Sequence, residues 1–343
     1  MIKKLVIGVV IVSYGHERYL PNLASSLRKQ MQSGDKIVVV DNHSNRKGYD
    51  LASKDKAVNF AIKADNNGFA AGCNIGASKI LDSVDILFFI NPDTKPGNNV
   101  IDTIRQADYS YYAGVMPLLV LEDKTVNSIG NVIHISGLSW SDGLGKPSTD
   151  FTKDQDISIL SGACMAISTD WWKKIGGISE SYFLYYEDIE FCTSILLQGG
   201  KMGLLPAAQI EHDYDYEKGS YKWLYLERNR PLYILRTWPL SVIILLSLQL
   251  FFVGIGLWLI AILQGRFKLK VKSFVMTLRA LPSTIKDRHF IQRNRSITSY
   301  EFFSKLSYRL DSPMLGSLGS NPLINGIYKI YYNLCLYILK LIS

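Results

Sequence analysis

Carboxylates in this chain gather where chemistry could use them. Glu187, Asp188 and Glu190 fall within four residues, directly behind the aromatic run Tyr182-Phe183-Leu184-Tyr185-Tyr186. Negative charge at a helix start is favourable in itself. The aromatic flank adds a partly desolvated setting, which lifts a carboxylate pKa toward that of a useful general base. Asp93, in Asn91-Pro92-Asp93 after the apolar Leu87-Phe88-Phe89-Ile90, can hold a hard divalent cation or simply cap a turn. Such a cation keeps waters, binds through one or two carboxylates and shares its charge with phosphate oxygens. Asp41, in Val38-Val39-Val40-Asp41-Asn42-His43-Ser44, can accept from a nucleobase or ribose, but Asp-Asn-His-Ser is also an ordinary turn. In Asn66-Asn67-Gly68-Phe69-Ala70-Ala71-Gly72-Cys73-Asn74-Ile75-Gly76, glycines allow close backbone approach and a helix N-terminus can face phosphate. A tight strand–helix turn would use the same residues. His212 stands alone after an apolar stretch, where a histidine is more often structural than a ligand. Arg228, in Glu227-Arg228-Asn229-Arg230, offers a guanidinium suited to phosphate, to a lipid headgroup or to water.

The elements that would position these groups are legible in the apolar pattern. The 343 residues, 48% apolar and 20% charged, suffice for a substantial core. Leu5–Ser13 is continuously apolar and β-branched, as a strand buried on both faces should be. Lys36–Val40, Ala57–Ile62 and Asp85–Ile90 read as further strands, and Arg18–Met31 and Cys73–Leu81 as helices between them. Strand–helix alternation predicts a parallel α/β sheet, with ligands at the carboxyl ends of its strands. Ser13-Tyr14, Asp41-Asn42 and Asn91-Pro92-Asp93 stand at three such ends. Glu122–Asp156, rich in Gly, Ser and Asp, reads as a hairpin or loop insertion. The N-terminal apolar run lacks a small-residue cleavage site and reads as the first strand rather than a signal peptide. There is no P-loop and no GxGxxG, which argues against NTPases and dinucleotide enzymes. Cys73, Cys164, Cys192 and Cys335 have no metal-like spacing and read as buried thiols.

The C-terminal third differs. No charged residue lies between Arg236 and Arg266, and roughly 20 apolar residues cross a hydrocarbon core. Lys218, Lys222, Arg228, Arg230 and Arg236 precede this run; Arg266, Lys268, Lys270, Lys272 and Arg279 follow it. Positive charge on both flanks fits a re-entrant hairpin bent near Gly254-Ile255-Gly256, or one tilted span. Residues 266–343 carry 13 Lys and Arg against 3 Asp and Glu, a balance of +10 in a chain of net +8. A near-neutral body with a basic tail calls for an anionic partner. The tail's Tyr, Leu and Ile content favours membrane lipids over nucleic acid. Pro322–Ile342 can lie on an interface or pack on its neighbours. The expected division is a catalytic domain at 1–236, a membrane-embedded helix or re-entrant hairpin at 237–265 and a basic helical membrane-associated tail at 266–343.

Taken in order and spacing, the motifs resemble family 2 glycosyltransferases, in particular the rhamnosyltransferase-like branch, over roughly residues 5–236. The resembling pieces are Val9-Val10-Ile11-Val12-Ser13-Tyr14, Val40-Asp41-Asn42-His43-Ser44, the Asn67–Gly76 segment, Asn91-Pro92-Asp93, Gly162-Ala163-Cys164-Met165, Gly176-Gly177 through Glu187-Asp188, His212 and Arg228-Asn229. The resemblance implies an α/β GT-A (nucleotide-diphospho-sugar transferase) fold with a mostly parallel central sheet, followed by a helical membrane-associated region. It implies inverting transfer from a nucleotide-diphosphate sugar, with L-rhamnose from dTDP-rhamnose as the branch's example. The acceptor would be a hydroxyl of a lipid-linked glycan or polysaccharide in cell-surface glycan synthesis, and the catalytic domain would be cytoplasmic and membrane-associated. Asp188 would be the base beside Glu187. Asp93, where the family carries its DXD-type motif, and His212 would meet Mg2+ or Mn2+. Ser13, Tyr14, Asp41, Asn67, Gly68, Phe69, Gly72, Asn74, Asn91 and Arg228 would line the donor. Three positions depart from the family: Ile178-Ser179-Glu180 replaces Phe-Asp-Glu after the paired glycines, Glu190 stands for an Asp, and Ser194 stands for an Arg. These departures keep a catalytically decayed membrane scaffold in view. A sugar nucleotidyltransferase on a similar sheet would need a glycine-rich basic N-terminal loop that this chain lacks. The processive signature Gln-x-x-Arg-Trp is also absent, which favours transfer of one or a few sugars.

Overall fold

Four apolar runs form the parallel half of a mixed sheet: β1 (Ile7–Ser13), β2 (Lys36–Asp41), β3 (Phe60–Lys63) and β4 (Ile86–Ile90). The computed structural model describes residues 4–214, 219–312 and 321–342; Lys218, counted above with the basic flank, lies outside them. The chain divides into two units. Met1–Gly130, Gly143–Ile195 and Gly200–Tyr216 make the first; Asn131–Asp142, Leu196–Gly199 and Glu217–Ser343 make the second.

In the first unit, β1 lies between β2 and β4 and is parallel to both, with Val10 opposite Val38 and Val9 opposite Phe88. Every residue of β1 is buried, which is why its apolar run is continuous rather than alternating. The chain moves outward from β1 through β2 to β3, then returns to the other side of β1 as β4. The order therefore reverses between β1 and β4, and such a switch point opens a crevice at the carboxyl ends. Helices α1 (Leu20–Arg28), α2 (Lys47–Ala52) and α3 (Phe69–Ile80) join these strands. Beyond β4 the sheet continues through the antiparallel β11 (Cys164–Ser168) to β6 (Gly114–Val120) and β12 (Met202–His212), which are parallel to each other. Short strands β5 (Thr94–Pro96) and β10 (Gln155–Ile157) add to β12, and β7 (Val126–Ser128) adds to β6. Helices α4 (Val100–Gln106), α5 (Thr169–Ile175) and α6 (Glu187–Leu197) complete this part of the chain.

Three local expectations shift. Strand β3 starts at Phe60 rather than Ala57, because Asp55 first closes a turn: its carboxylate accepts from Ala57 N at 2.8 Å and its carbonyl from Val58 N at 3.0 Å. The first helix is shorter than Arg18–Met31, since Glu17–Tyr19 form a separate single turn before it. Helix α3 begins at Phe69, four residues before Cys73, which puts Gly72 and Asn74 inside the helix.

The second unit holds the hairpin β8 (Asn131–Ile133) and β9 (Ser139–Ser141), with helices α7 (Ser220–Thr237), α8 (Leu240–Leu263), α9 (Phe267–Arg293), α10 (Ser299–Phe303) and α11 (Pro322–Leu341). Of the two forms the apolar run allowed, one helix or a hairpin, the structure has the helix. The run's 24 central residues make one unbroken helix, α8, which passes straight through Gly254-Ile255-Gly256. Among the described residues, α8 is the one helix long and apolar enough to cross a membrane by length and composition.

Candidate functional site

The carboxyl ends of β1 and β2 are locked side by side. Ser13 pairs with Asp41 in register, and Asn42 N donates to Ser13 O at 2.9 Å. Asp41, expected at a nucleobase, is 1% exposed. One carboxylate oxygen accepts from His43 N at 3.0 Å and the other from Tyr49 N at 2.9 Å, so Asp41 organises the 42–49 turn. These two contacts are those of the turn, one of the two roles the sequence allowed. Tyr14, the next residue out, is exposed, with its ring 4.8 Å from that of His43. The exposed Tyr14 ring gives the strand tips an aromatic face, the kind on which a base can stack. The Ser13 hydroxyl is fully buried and has no partner among the described residues.

Asp93 and His212 meet because β5 runs antiparallel to β12, placing Thr94 opposite His212. Asp93 Oδ1 lies 3.5 Å from His212 Nε2, and both side chains are buried. His212 Nδ1 is 2.9 Å from Asn127 Oδ1. An amide oxygen only accepts, so Nδ1 is the donor in that contact, and a neutral ring then turns its Nε2 lone pair toward the carboxylate. Nε2 has no hydrogen-bond partner among the described residues. Two acceptors that face each other across this distance suit a cation between them. No group of three His, Cys, Asp or Glu converges among the described residues. Two protein ligands, with waters and phosphate oxygens for the rest, fit a hard divalent cation. Asn127 was missed from sequence: it lies 85 positions from His212, and only the β7–β6–β12 pairing brings it there.

The start of α6 carries Glu187, Asp188 and Glu190 in its first turn. Asp188 is half-buried; one carboxylate oxygen accepts from Gly162 N at 2.9 Å and the other from its own neighbour, Ile189 N, at 2.8 Å. One residue along, Ala163 O accepts from Asn91 N at 2.9 Å. Gly162-Ala163 therefore ties the Asn91-Pro92-Asp93 tip to the Asp188 carboxylate through two successive backbone contacts. A Cβ on Gly162 would lie 3.0 Å from the Asp188 side chain. The sequence expects one carboxylate here to be lifted by an apolar setting, and the structure gives that property to Glu187. Glu187 is buried, and burial, with the Asp188 charge second, pushes its carboxyl up to about 8.

The turn before α6 is unusual. Phe183, Tyr185 and Tyr186 have φ of 63°, 65° and 71°, a left-handed region that costs non-glycine residues about 1–3 kcal/mol each. The start of α3 holds this turn. Phe69 N donates to Phe183 O at 2.9 Å, and a Cβ on Gly68 (φ 99°) would stand 2.2 Å from that same oxygen. Asn74 Nδ2 donates to Ile178 O and to Glu180 Oε1, both at 2.8 Å, and Asn74 Oδ1 accepts from Ile178 N at 3.0 Å. Gly68, Phe69, Gly72 and Asn74, all expected to line the donor, make packing and clamping contacts here. Gly72 sits where a Cβ would come 2.6 Å from Val12. Asn67 is exposed beside the clamp. Arg228, also expected at the donor, lies on α7 of the second unit, where its guanidinium donates to Asn229 Oδ1 at 2.8 Å.

Residues 8–176 match the model of a family described as glycosyl transferase family 2. The low-salt glycan biosynthesis hexosyltransferase Agl10 of Haloferax volcanii is 26% identical over 229 residues, covering 64% of this chain and 71% of that protein. The rhamnosyltransferase WbbL of Escherichia coli is 23% identical over 227 residues, covering 62% of this chain and 85% of that protein. Among solved structures, GalNAc-T7 crystallised with UDP, GalNAc and Mn2+ superposes with a TM-score of 0.56 at 16% identity. That match covers 69% of this chain and 49% of the GalNAc-T7 chain, so this chain spans about half of that structure. The likeness places the mixed sheet among GT-A-like folds.

Proposed function

We propose that this chain, which carries a glycosyl transferase family 2 domain and is a glycosyltransferase, moves a rhamnosyl or hexosyl group from a nucleotide-diphosphate sugar to an acceptor hydroxyl with inversion. The relatives' names support hexosyl or rhamnosyl transfer in glycan biosynthesis. L-Rhamnose from dTDP-rhamnose is the donor we favour, and a lipid-linked glycan is the acceptor we favour. Residues 1–236 would be the cytoplasmic catalytic part, 237–265 the membrane-embedded helix and 266–343 the basic tail on membrane lipids.

In this mechanism Asp188 takes the proton of the acceptor hydroxyl. The freed oxygen pair forms the new bond to the anomeric carbon. The bond from that carbon to the diphosphate oxygen breaks on the opposite face, and its electrons leave with the nucleoside diphosphate. One displacement needs one base and one stabilised leaving group. Asp93 and His212 would bind the Mg2+ or Mn2+, whose charge offsets that building on the diphosphate. Gly162 N–H and Ile189 N–H hold the Asp188 carboxylate in place. Tyr14 would stack on the nucleobase.

The observation that supports this reading is the Gly162-Ala163 bridge, which ties the Asn91-Pro92-Asp93 tip and the Asp188 carboxylate together at one edge of the sheet. The test is a panel of nucleotide sugars offered to purified full-length protein with Mn2+, following donor binding and release of nucleoside diphosphate. Asp93→Ala is expected to weaken metal-dependent donor binding about tenfold or more, at least ~1.4 kcal/mol. Equal affinity with and without Asp93 would remove it from the metal site. No transfer with any donor would leave the decayed-scaffold reading in its place.

A further inference from the structure

Helix α9 is amphipathic in the inverse sense. The side chains it buries are polar: Lys270, Ser273, Thr277 and Thr284. Lys270 Nζ pairs with Glu227 of α7, and Thr277 Oγ1 donates to Arg228 O at 3.3 Å. Its outward face is apolar, with Phe267, Val271, Phe274, Leu278 and Ile285 exposed. Their spacings of four, three, four and seven residues make one helical stripe. Helix α11 repeats the pattern over its whole length. Leu323, Ile327, Ile330, Leu334, Tyr337 and Leu341 are exposed at spacings that alternate four and three, while Tyr332, Cys335 and Leu339 are buried on the other side. Both helices contact neighbours within the second unit, α9 packing on α7 and α8, and α11 on α8 and α10. The outward stripes are therefore the faces left over after packing.

Isolated exposed apolar side chains need no explanation, but contiguous stripes of this length mark an interaction surface. Charge selects the occupant. Lys268, Lys272, Arg279 and Lys286 are exposed on α9, and its one acidic residue, Asp287, is paired with Arg236 at 3.1 Å. Lys329 and Lys340 are exposed on α11, which has no acidic residue. A second copy docked through the same patch would set these cations against their own kind. An anionic lipid surface takes the apolar stripe into its acyl boundary and the cations at its headgroups.

We propose that the outward faces of α9 and α11 form a docking surface for an anionic bilayer, both helices lying in the plane of the headgroup–acyl boundary while α8 enters the hydrocarbon. This rests on the membrane attachment proposed above and adds the depth and orientation of two further helices. The second unit is then held by three apolar faces rather than tethered by one helix.

Depth measurement tests it. The four native cysteines are buried, so a polarity-sensitive dye can be placed on Phe274→Cys, Ile330→Cys or Phe251→Cys of the full chain. The labelled protein is reconstituted in phosphatidylglycerol–phosphatidylcholine vesicles, with retained donor binding as the folding control. Dye at 274 and at 330 is expected to shift to the blue and to be quenched by shallow nitroxide lipids, at about 5–10 Å below the headgroups. Omitting phosphatidylglycerol should weaken that quenching. Dye at 251 should respond to nitroxides placed near the bilayer centre. Water-exposed dye at 274 and 330 with lipid-buried dye at 251 overturns this inference alone. Water at all three positions overturns membrane attachment itself. Dye at 274 and 330 that is dry, unquenched by lipid and cross-linkable between copies assigns the face to a second copy and also overturns the proposal.

Discussion

Helices α3 and α9 each press one face onto a neighbour, and the two buried faces are chemical opposites. Helix α3 lays Ala70, Ala71, Cys73, Ala77 and Ile80 inward, where β1 and β2 receive it. Helix α9 lays Lys270, Ser273, Thr277 and Thr284 inward and leaves its aromatic and aliphatic side chains outside. Apolar burial stabilises by about 25 cal/mol per Å² only when the alternative is water. Where the surroundings are themselves apolar, hydrogen bonds and small residues hold helices together. The first unit is ordered as a water-facing fold that admits polar groups chiefly at its strand tips. The second buries polar side chains on α9 and leaves apolar ones outside, the order that the lipid surroundings proposed above would favour.

The sharpest way to break this comparison is at the strand tips, because their polarity should serve chemistry rather than solubility. Asp188→Asn keeps shape and loses the proton acceptor. Turnover should fall by about 10²–10⁴, while donor affinity, measured by calorimetry with Mn2+, stays close to that of the unmodified protein. Turnover that survives within roughly tenfold would mean the proton goes elsewhere.

A paired substitution probes the two packing regimes. Gly68→Ala puts a methyl 2.2 Å from Phe183 O at a residue with φ 99°. It should destabilise by at least about 1–3 kcal/mol and lower turnover by displacing the 183–186 turn. Gly254→Ala, inside α8, meets nothing within 4 Å and should be neutral or gain up to about 1 kcal/mol from helix propensity. Denaturant unfolding for the first and thermal unfolding in detergent for the second read the contrast. Equal losses at the two sites would erase it.

These two glycines also mark where the sequence was legible. Continuous β-branched runs announced β1, β2 and β4, since a strand covered on both faces has no polar side to show. The polar residues after them announced the sheet edge that collects Asp93 and Asp188. The role of Gly68 was not legible, because its partner, Phe183, is 115 positions away and the contact is backbone to backbone. Nor was that of Asn74, whose amide reads identically whether it faces a phosphate or Ile178. Among the carboxylates the pattern gave the helix start but not which residue would be buried; only the turn of α6 decides that Glu187 goes in and Asp188 faces the Gly162 loop. The continuity of α8 through Gly254 and Gly256 was hidden for a similar reason: two glycines weaken a helix without breaking it, and a hairpin has the same composition.

The Asn74 clamp gives the next effect down. Asn74→Ala removes three hydrogen bonds to the 178–180 segment, a loss of roughly 1–3 kcal/mol. If the residue acts on the turn ahead of α6, kcat falls while donor affinity is kept. Asn74→Asp should be worse than alanine, because a carboxylate would face Ile178 O and Glu180 Oε1 where the amide nitrogen now donates. Weakened donor binding at unchanged kcat would return Asn74 to the donor site.

A further effect is one of pH, and it separates the two adjoining carboxylates. Burial, then the Asp188 charge, raises Glu187 from an ordinary 4.5 to about 8. Between those values the folded chain keeps a proton that the unfolded chain has released. The unfolded state binds fewer protons there, so stability falls as pH rises from about 4.5 to about 8 and levels off beyond. Glu187→Gln, neutral at every pH, should flatten that slope in urea unfolding at pH 5 and pH 8. It should also hold turnover steadier above pH 8, where ionised Glu187 would set a second negative charge beside the base. A slope that persists in the glutamine variant would place the titrating group elsewhere, and the buried acid of the water-facing unit would then be a packing residue like its neighbours on α3.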